Sequence, residues 1–97
     1  MNLRFTPQAT QDLSEIADYI RSENPSAAEH VRAAILESLQ ILKSFPRIGR
    51  RQDIEDVHKL VTRKFGYLVY YRLDDTASEI VVLTIRHPAR ARRSDDL

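Results

Sequence analysis

The sequence predicts an α+β fold: a short N-terminal strand, an α-helical hairpin, then a three-stranded antiparallel meander, with the helices packed on one sheet face. Three observations predict it. A cap residue followed by proline occurs twice, at Thr6-Pro7 and Asn24-Pro25, each opening a run with apolar residues spaced three and four apart. From Val57 onward the apolar period changes to strand type. The turns between those strands are too short for anything but antiparallel neighbours. At 97 residues the chain is expected to be a single domain, 1–97, with one modest core.

Asn2-Leu3-Arg4-Phe5 alternates polar and apolar and forms the first strand. Thr6 offers an N-cap hydroxyl, and Pro7 fits the first helical position, where its missing amide costs nothing. Ala9, Leu13, Ile16, Ala17 and Ile20 share one face of this helix, with Asp12, Glu15 and Asp18 largely away from it. The second helix starts at Asn24-Pro25 and runs to about Ser44. Its stripe is Ala28, Val31, Ile35, Leu39 and Leu42, widened by Ala34, Ile41 and Phe45 to meet both a helix and a sheet.

Pro46-Arg47-Ile48-Gly49-Arg50-Arg51 ends that helix and opens an irregular charged connection through Asp56. Strands are expected at Val57–Lys64, Tyr67–Leu73 and Glu79–Arg86, joined by Phe65-Gly66 and by Asp74–Ser78. Tyr67, Val69, Tyr71 and Leu73 fall on one face of the middle strand, and Leu68, Tyr70 and Arg72 on the other. In the last strand Val81, Leu83 and Ile85 alternate with Ile80, Val82, Thr84 and Arg86, so it is apolar on both faces and belongs inside the sheet. One sheet face must cover the helices, leaving the other for a partner.

Composition removes several function classes. With no cysteine there can be no disulfide, thiol nucleophile or cysteine zinc site, which fits a reducing compartment. No apolar run approaches membrane-spanning length and the N-terminus lacks a signal-peptide pattern, so the expectation is a cytoplasmic protein with no membrane partner. Histidines at 30, 58 and 87 have no metal-ligand spacing, so no metal site is expected. Two glycines cannot build a phosphate-cradling loop, and no cofactor is expected.

The positive charge collects in the strand half, with a net −2 over residues 1–44 and +3 over 45–97. It culminates in Arg86-His87-Pro88-Ala89-Arg90-Ala91-Arg92-Arg93, four arginines around one histidine. Guanidinium groups just past an apolar strand must meet solvent, carboxylates or phosphates. Cations that neutralise developing charge, with an imidazole to move protons, are what metal-free phosphodiester cleavage needs, and Arg63, Arg72, Arg86 and His87 are the candidate set. The plainer account pairs Arg72 and Arg86 with strand neighbours and leaves the tail solvated. Tyr67, Tyr70 and Tyr71 offer rings for base stacking, though strand tyrosines are more often packing residues.

The order of elements, with Pro46 to Arg50 after the second helix, Gly66-Tyr67-x-Val69-x-Tyr71-Arg72, and Val82-Leu83-x-Ile85-x-His87-x-Ala89-Arg90, resembles the RelE/ParE superfamily of bacterial type II toxins over nearly the whole chain. RelE-like members cut messenger RNA on the ribosome without metal; ParE-like members inhibit DNA gyrase. The RelE pattern has an arginine directly after its Gly-Tyr pair, where this chain has Leu68; it has a second alternating lysine where Val61 stands, and a tyrosine after the position of His87, where there is none. The Pro-x-Ile-Gly-Arg loop and the His-x-Ala-Arg ending resemble ParE, although Ala91 stands where ParE-like endings carry an Asp after the Arg. The resemblance therefore implies a toxin of the plasmid-stabilisation type that binds DNA gyrase and is not an enzyme, silenced by a cognate antitoxin, ParD-like or other. The alternatives are a ribonuclease acting on ribosome-bound mRNA and an inert superfamily member. The residues expected to grip partners are Arg47, Arg50, Arg51, Arg72, Arg86, His87 and Arg90.

Overall fold

The computed structural model describes residues 1–89. In chain order the elements are β1 (Asn2–Phe5), α1 (Pro7–Glu23), α2 (Pro25–Ser44), β2 (Arg50–Arg51), β3 (Val57–Val61), β4 (Leu68–Asp74) and β5 (Glu79–Arg86). The strands form one five-stranded sheet in the order β1-β5-β4-β3-β2. Three consecutive antiparallel pairings run from β2 to β5, and β1 lies parallel to β5 with Leu3 opposite Ile80.

Both helices begin where the cap signals place them. The Thr6 hydroxyl accepts from the Ala9 amide at 3.1 Å and itself donates to the Leu83 carbonyl at 2.7 Å, so the cap also ties α1 to β5. The Asn24 side chain accepts from the amides of Ser26 and Ala27 at 3.1 and 3.3 Å. Asn24→Ala should cost about 1 kcal/mol in a urea titration, because two first-turn donors lose their only side-chain acceptor.

One core joins the two layers. Ala9 of α1 and Val31, Ile35, Leu39 and Leu42 of α2 pack against Tyr67, Val69, Tyr71, Ile80, Val82 and Ile85 of the sheet. This inner face matches the predicted face of β4. Phe45 does not join the helix stripe: α2 ends at Ser44, the cap backbone turns to φ −131°, ψ 71°, and the ring stands 63% exposed.

Three strand details differ from the sequence expectation. Arg50-Arg51, expected as irregular, pairs with Lys59 and His58 as a two-residue edge strand. Strand β3 stops at Val61, because the Thr62 side chain turns the chain: its hydroxyl donates to the Lys64 carbonyl and accepts from the Tyr67 amide, while Phe65 and Gly66 take φ of 68° and 65°. In β5 the alternation breaks. Tyr70 faces Thr84 and Tyr71 faces Val82, leaving Leu83 as the extra residue of a bulge. Ile85 therefore joins Ile80 and Val82 in the core, and Arg86 faces away from it opposite Leu68.

The bulge is held from α1. Beyond Phe5, β1 no longer covers the edge of β5, and the polar groups there need other partners. Thr6 takes the Leu83 carbonyl, and the Asp12 carboxylate accepts from the Ile85 amide at 3.0 Å and from the Thr84 hydroxyl. Asp12, expected to point away, thus reaches the sheet.

Candidate functional site

Cross-strand pairing sorts the basic residues by face. On the face away from the helices, Arg50, Lys59, Tyr70 and Thr84 form one row across β2 to β5. Val57, Arg72, Val81 and Arg4 form a second, and Val61, Leu68 and Arg86 a third. Arg72 and Arg50 are exposed and Arg86 is half-buried. Among the described residues the ion pairs are Arg4–Glu79, Arg21–Asp18 and Arg47–Asp75, so Arg50, Arg63, Arg72 and Arg86 have none. Arg72 and Arg86, which the plainer account pairs with strand neighbours, thus have no ion pair among the described residues.

Of the candidate ribonuclease set, Arg63, Arg86 and His87 lie at the Leu68 end of the sheet, and Arg72 lies apart from them. Arg72 sits four residues along β4 from Leu68, the cross-strand neighbour of Arg86, and a strand rises about 3.3 Å per residue, so the two guanidinium-bearing rows stand about 13 Å apart. Arg63 is exposed in the turn before Gly66. His87 follows the end of β5, where its Nδ1 accepts from the Ala89 amide at 3.1 Å and its ring meets Tyr67 edge-on, with centroids 5.4 Å apart. Arg90 lies outside the described residues.

A second cluster lies on the helix side of the sheet edge. The buried Tyr71 hydroxyl donates to the Pro46 carbonyl at 2.8 Å and accepts from the Gly49 amide at 2.9 Å. Burial pushes the phenol above its ordinary value of 10.0, partly opposed by the Gly49 hydrogen bond. These bonds anchor the turn in which the Ile48 amide donates to the Phe45 carbonyl at 3.1 Å. Beside the turn, Arg47, Gly49, Arg51, Asp56, His58, Leu73 and Asp75 line an open cleft of about 440 Å³. His58 stacks on Tyr71 at 5.3 Å, and its Nδ1 is buried with no hydrogen-bond partner among the described residues.

The expected partner-binding residues therefore divide. Arg50, Arg72 and Arg86 share the face away from the helices, Arg47 and Arg51 line the cleft, and His87 lies at the sheet's end. Sequence reading missed Tyr71 as the anchor of the Pro46–Gly49 turn and His58 as its stacking partner. No local pattern announces either, since Tyr71 and Gly49 are 22 residues apart.

A helical hairpin over a five-stranded mixed sheet is the architecture of the RelE and ParE type II toxins. A toxin from the chromosomal ParDE toxin-antitoxin system of P. aeruginosa superposes with a TM-score of 0.77, at 24% identity, over 90% of this chain and 95% of that one. The intact E. coli RelBE toxin-antitoxin complex contains a chain that superposes at 0.63, with 18% identity, over 88% of this chain and 93% of that one. A relative from Sinorhizobium fredii bearing the name "Putative toxin Y4kP" is 32% identical over 85 residues, covering 88% of this chain and 85% of its own. The model of the ParE toxin of type II toxin-antitoxin system, parDE, matches residues 3–92. The chain belongs to the ParE toxin family.

Proposed function

We propose that the protein acts in the cytoplasm by binding and inhibiting DNA gyrase, and that a cognate antitoxin silences it. The single observation that carries the gyrase reading over the ribonuclease one is Leu68. It stands between Val61 and Arg86 at the position where the RelE pattern has an arginine, and an alkyl side chain cannot neutralise a phosphate. A face whose guanidinium groups at Arg50, Arg72 and Arg86 have no ion pair among the described residues suits an acidic protein surface. Membership of the ParE family supports an antitoxin partner, whose acidic segment would fold along the toxin.

Purified gyrase is expected to lose supercoiling activity when this protein is added, and Arg72→Ala combined with Arg86→Ala should raise the concentration required roughly tenfold. Unchanged supercoiling across a wide concentration range would remove the proposal. Discrete cleavage of ribosome-bound message in primer extension, abolished by His87→Ala, would replace it with the ribonuclease reading.

A further inference from the structure

The turn after α2 combines features that its packing does not require. Phe45 and Ile48, bridged by the turn's hydrogen bond, are 63% and 53% exposed. Large apolar side chains set that far into solvent contribute almost nothing to the core. The backbone beneath them is nevertheless held firmly, with the fully buried Tyr71 bonded to both Pro46 and Gly49 and packed so closely that Gly49 has no room for a Cβ. Arg47 pairs with Asp75 at 3.3 Å at the surface on one side, and Arg50 and Arg51 follow on the other without ion pairs among the described residues. Aromatic, aliphatic and arginine side chains on a preorganised support are the composition of an interface hot spot.

The shape decides which partner fits. A segment that folds on binding needs a groove to fill or a strand edge to extend; the cleft beside the turn is lined by neither Phe45 nor Ile48, and the adjacent edge, β2, is only two residues long and doubly charged, which opposes strand addition. A rigid turn carrying two protruding apolar groups instead suits a preformed hollow in a folded protein. We infer that the Phe45–Arg51 segment is a second element, beside the face that carries Arg72 and Arg86, by which this toxin grips its cellular target, a folded protein presenting an apolar pocket rimmed by carboxylates, and that it is not the antitoxin's seat. This rests on reading the chain as a binding-type toxin, and it adds the contact residues and the chemistry of the surface they meet.

The test is the full-length double variant Phe45→Ala/Ile48→Ser, with Arg50→Glu/Arg51→Glu as a second. All four positions are exposed, so urea midpoints should stay near wild type. Three quantities are read: growth arrest on expression without antitoxin, affinity for purified gyrase, and affinity for the cognate antitoxin. Target affinity should fall by about 30-fold or more and growth arrest should disappear, with antitoxin affinity within about threefold of wild type. Retained growth arrest, or an equal loss of antitoxin affinity, overturns the inference. If wild type fails to bind gyrase while only the variants lose growth arrest, the gyrase reading falls and the inference stands for another target. If wild type and variants bind gyrase alike, the reverse holds. A wild-type chain that never arrests growth removes both.

Discussion

Gly49→Ala should destabilise the protein by about 3 kcal/mol, because overpacking typically costs 1–3 and a lost hydrogen bond about 1 more. A Cβ built at Gly49 lies 2.4 Å from the Tyr71 hydroxyl oxygen, 2.7 Å from Cε1 and 2.9 Å from Cζ. Tyr71 cannot retreat, since its ring is fully buried between His58 and the core. The turn must therefore lift away, breaking the bonds to Pro46 and Gly49. Space is the reason for this glycine, whereas Gly66 has φ +65° and nothing nearer than the Pro88 Cγ at 4.0 Å, so its requirement is conformational. Urea unfolding would measure the effect, and a loss below 1 kcal/mol would mean that the turn is pliable.

The same contact gives a pH signature. Because burial raises the Tyr71 pKa in the folded state, the unfolded chain releases this proton first as pH rises past 10.0. The unfolded state then binds fewer protons than the native one, so stability contributed below that pH is lost as pH climbs toward the folded value. Wild type should lose stability above pH 10 more steeply than Tyr71→Phe, although the variant starts lower for want of two hydrogen bonds.

Helix ends were legible because their signals are local: Thr6-Pro7 and Asn24-Pro25 bring cap and first turn together within a few residues. Strand β5 was legible end to end from its apolar run, and the inner face of β4 from its alternation. Strand β2 was not, since two adjacent arginines carry no periodicity and pair only because β3 lies alongside. The spacing of Phe45 fits the helix stripe, but the helix stops one residue earlier, and only the cap backbone reveals it. The candidate site was legible as a list of cations and not as a geometry. Register alone separates Arg50 onto one face and Arg51 onto the other, and places Leu68 beside Arg86.

The bulge was the least legible feature and controls the most. Without an extra residue at Leu83, strict alternation would carry the face of Ile80 and Val82 on to Thr84 and Arg86, driving a guanidinium toward the core. The bulge sends Ile85 inward and Arg86 outward, at the cost of backbone groups that no neighbouring strand pairs. Asp12 supplies the missing acceptor for the Ile85 amide and the Thr84 hydroxyl. Asp12→Ala should therefore cost about 3 kcal/mol, the loss of charge-assisted bonds plus an unsatisfied part-buried amide. Asp12→Asn keeps a carbonyl acceptor without the charge and should recover about half of that. Thr84→Val should be costly in the wild-type background and nearly silent beside Asp12→Ala, since the hydroxyl's partner is already gone. Hydrogen exchange at the Ile85 amide gives the local readout, with faster exchange expected in Asp12→Ala; unchanged exchange and additive costs would show that the bulge holds itself, and that Arg86 owes its outward position to the sheet alone.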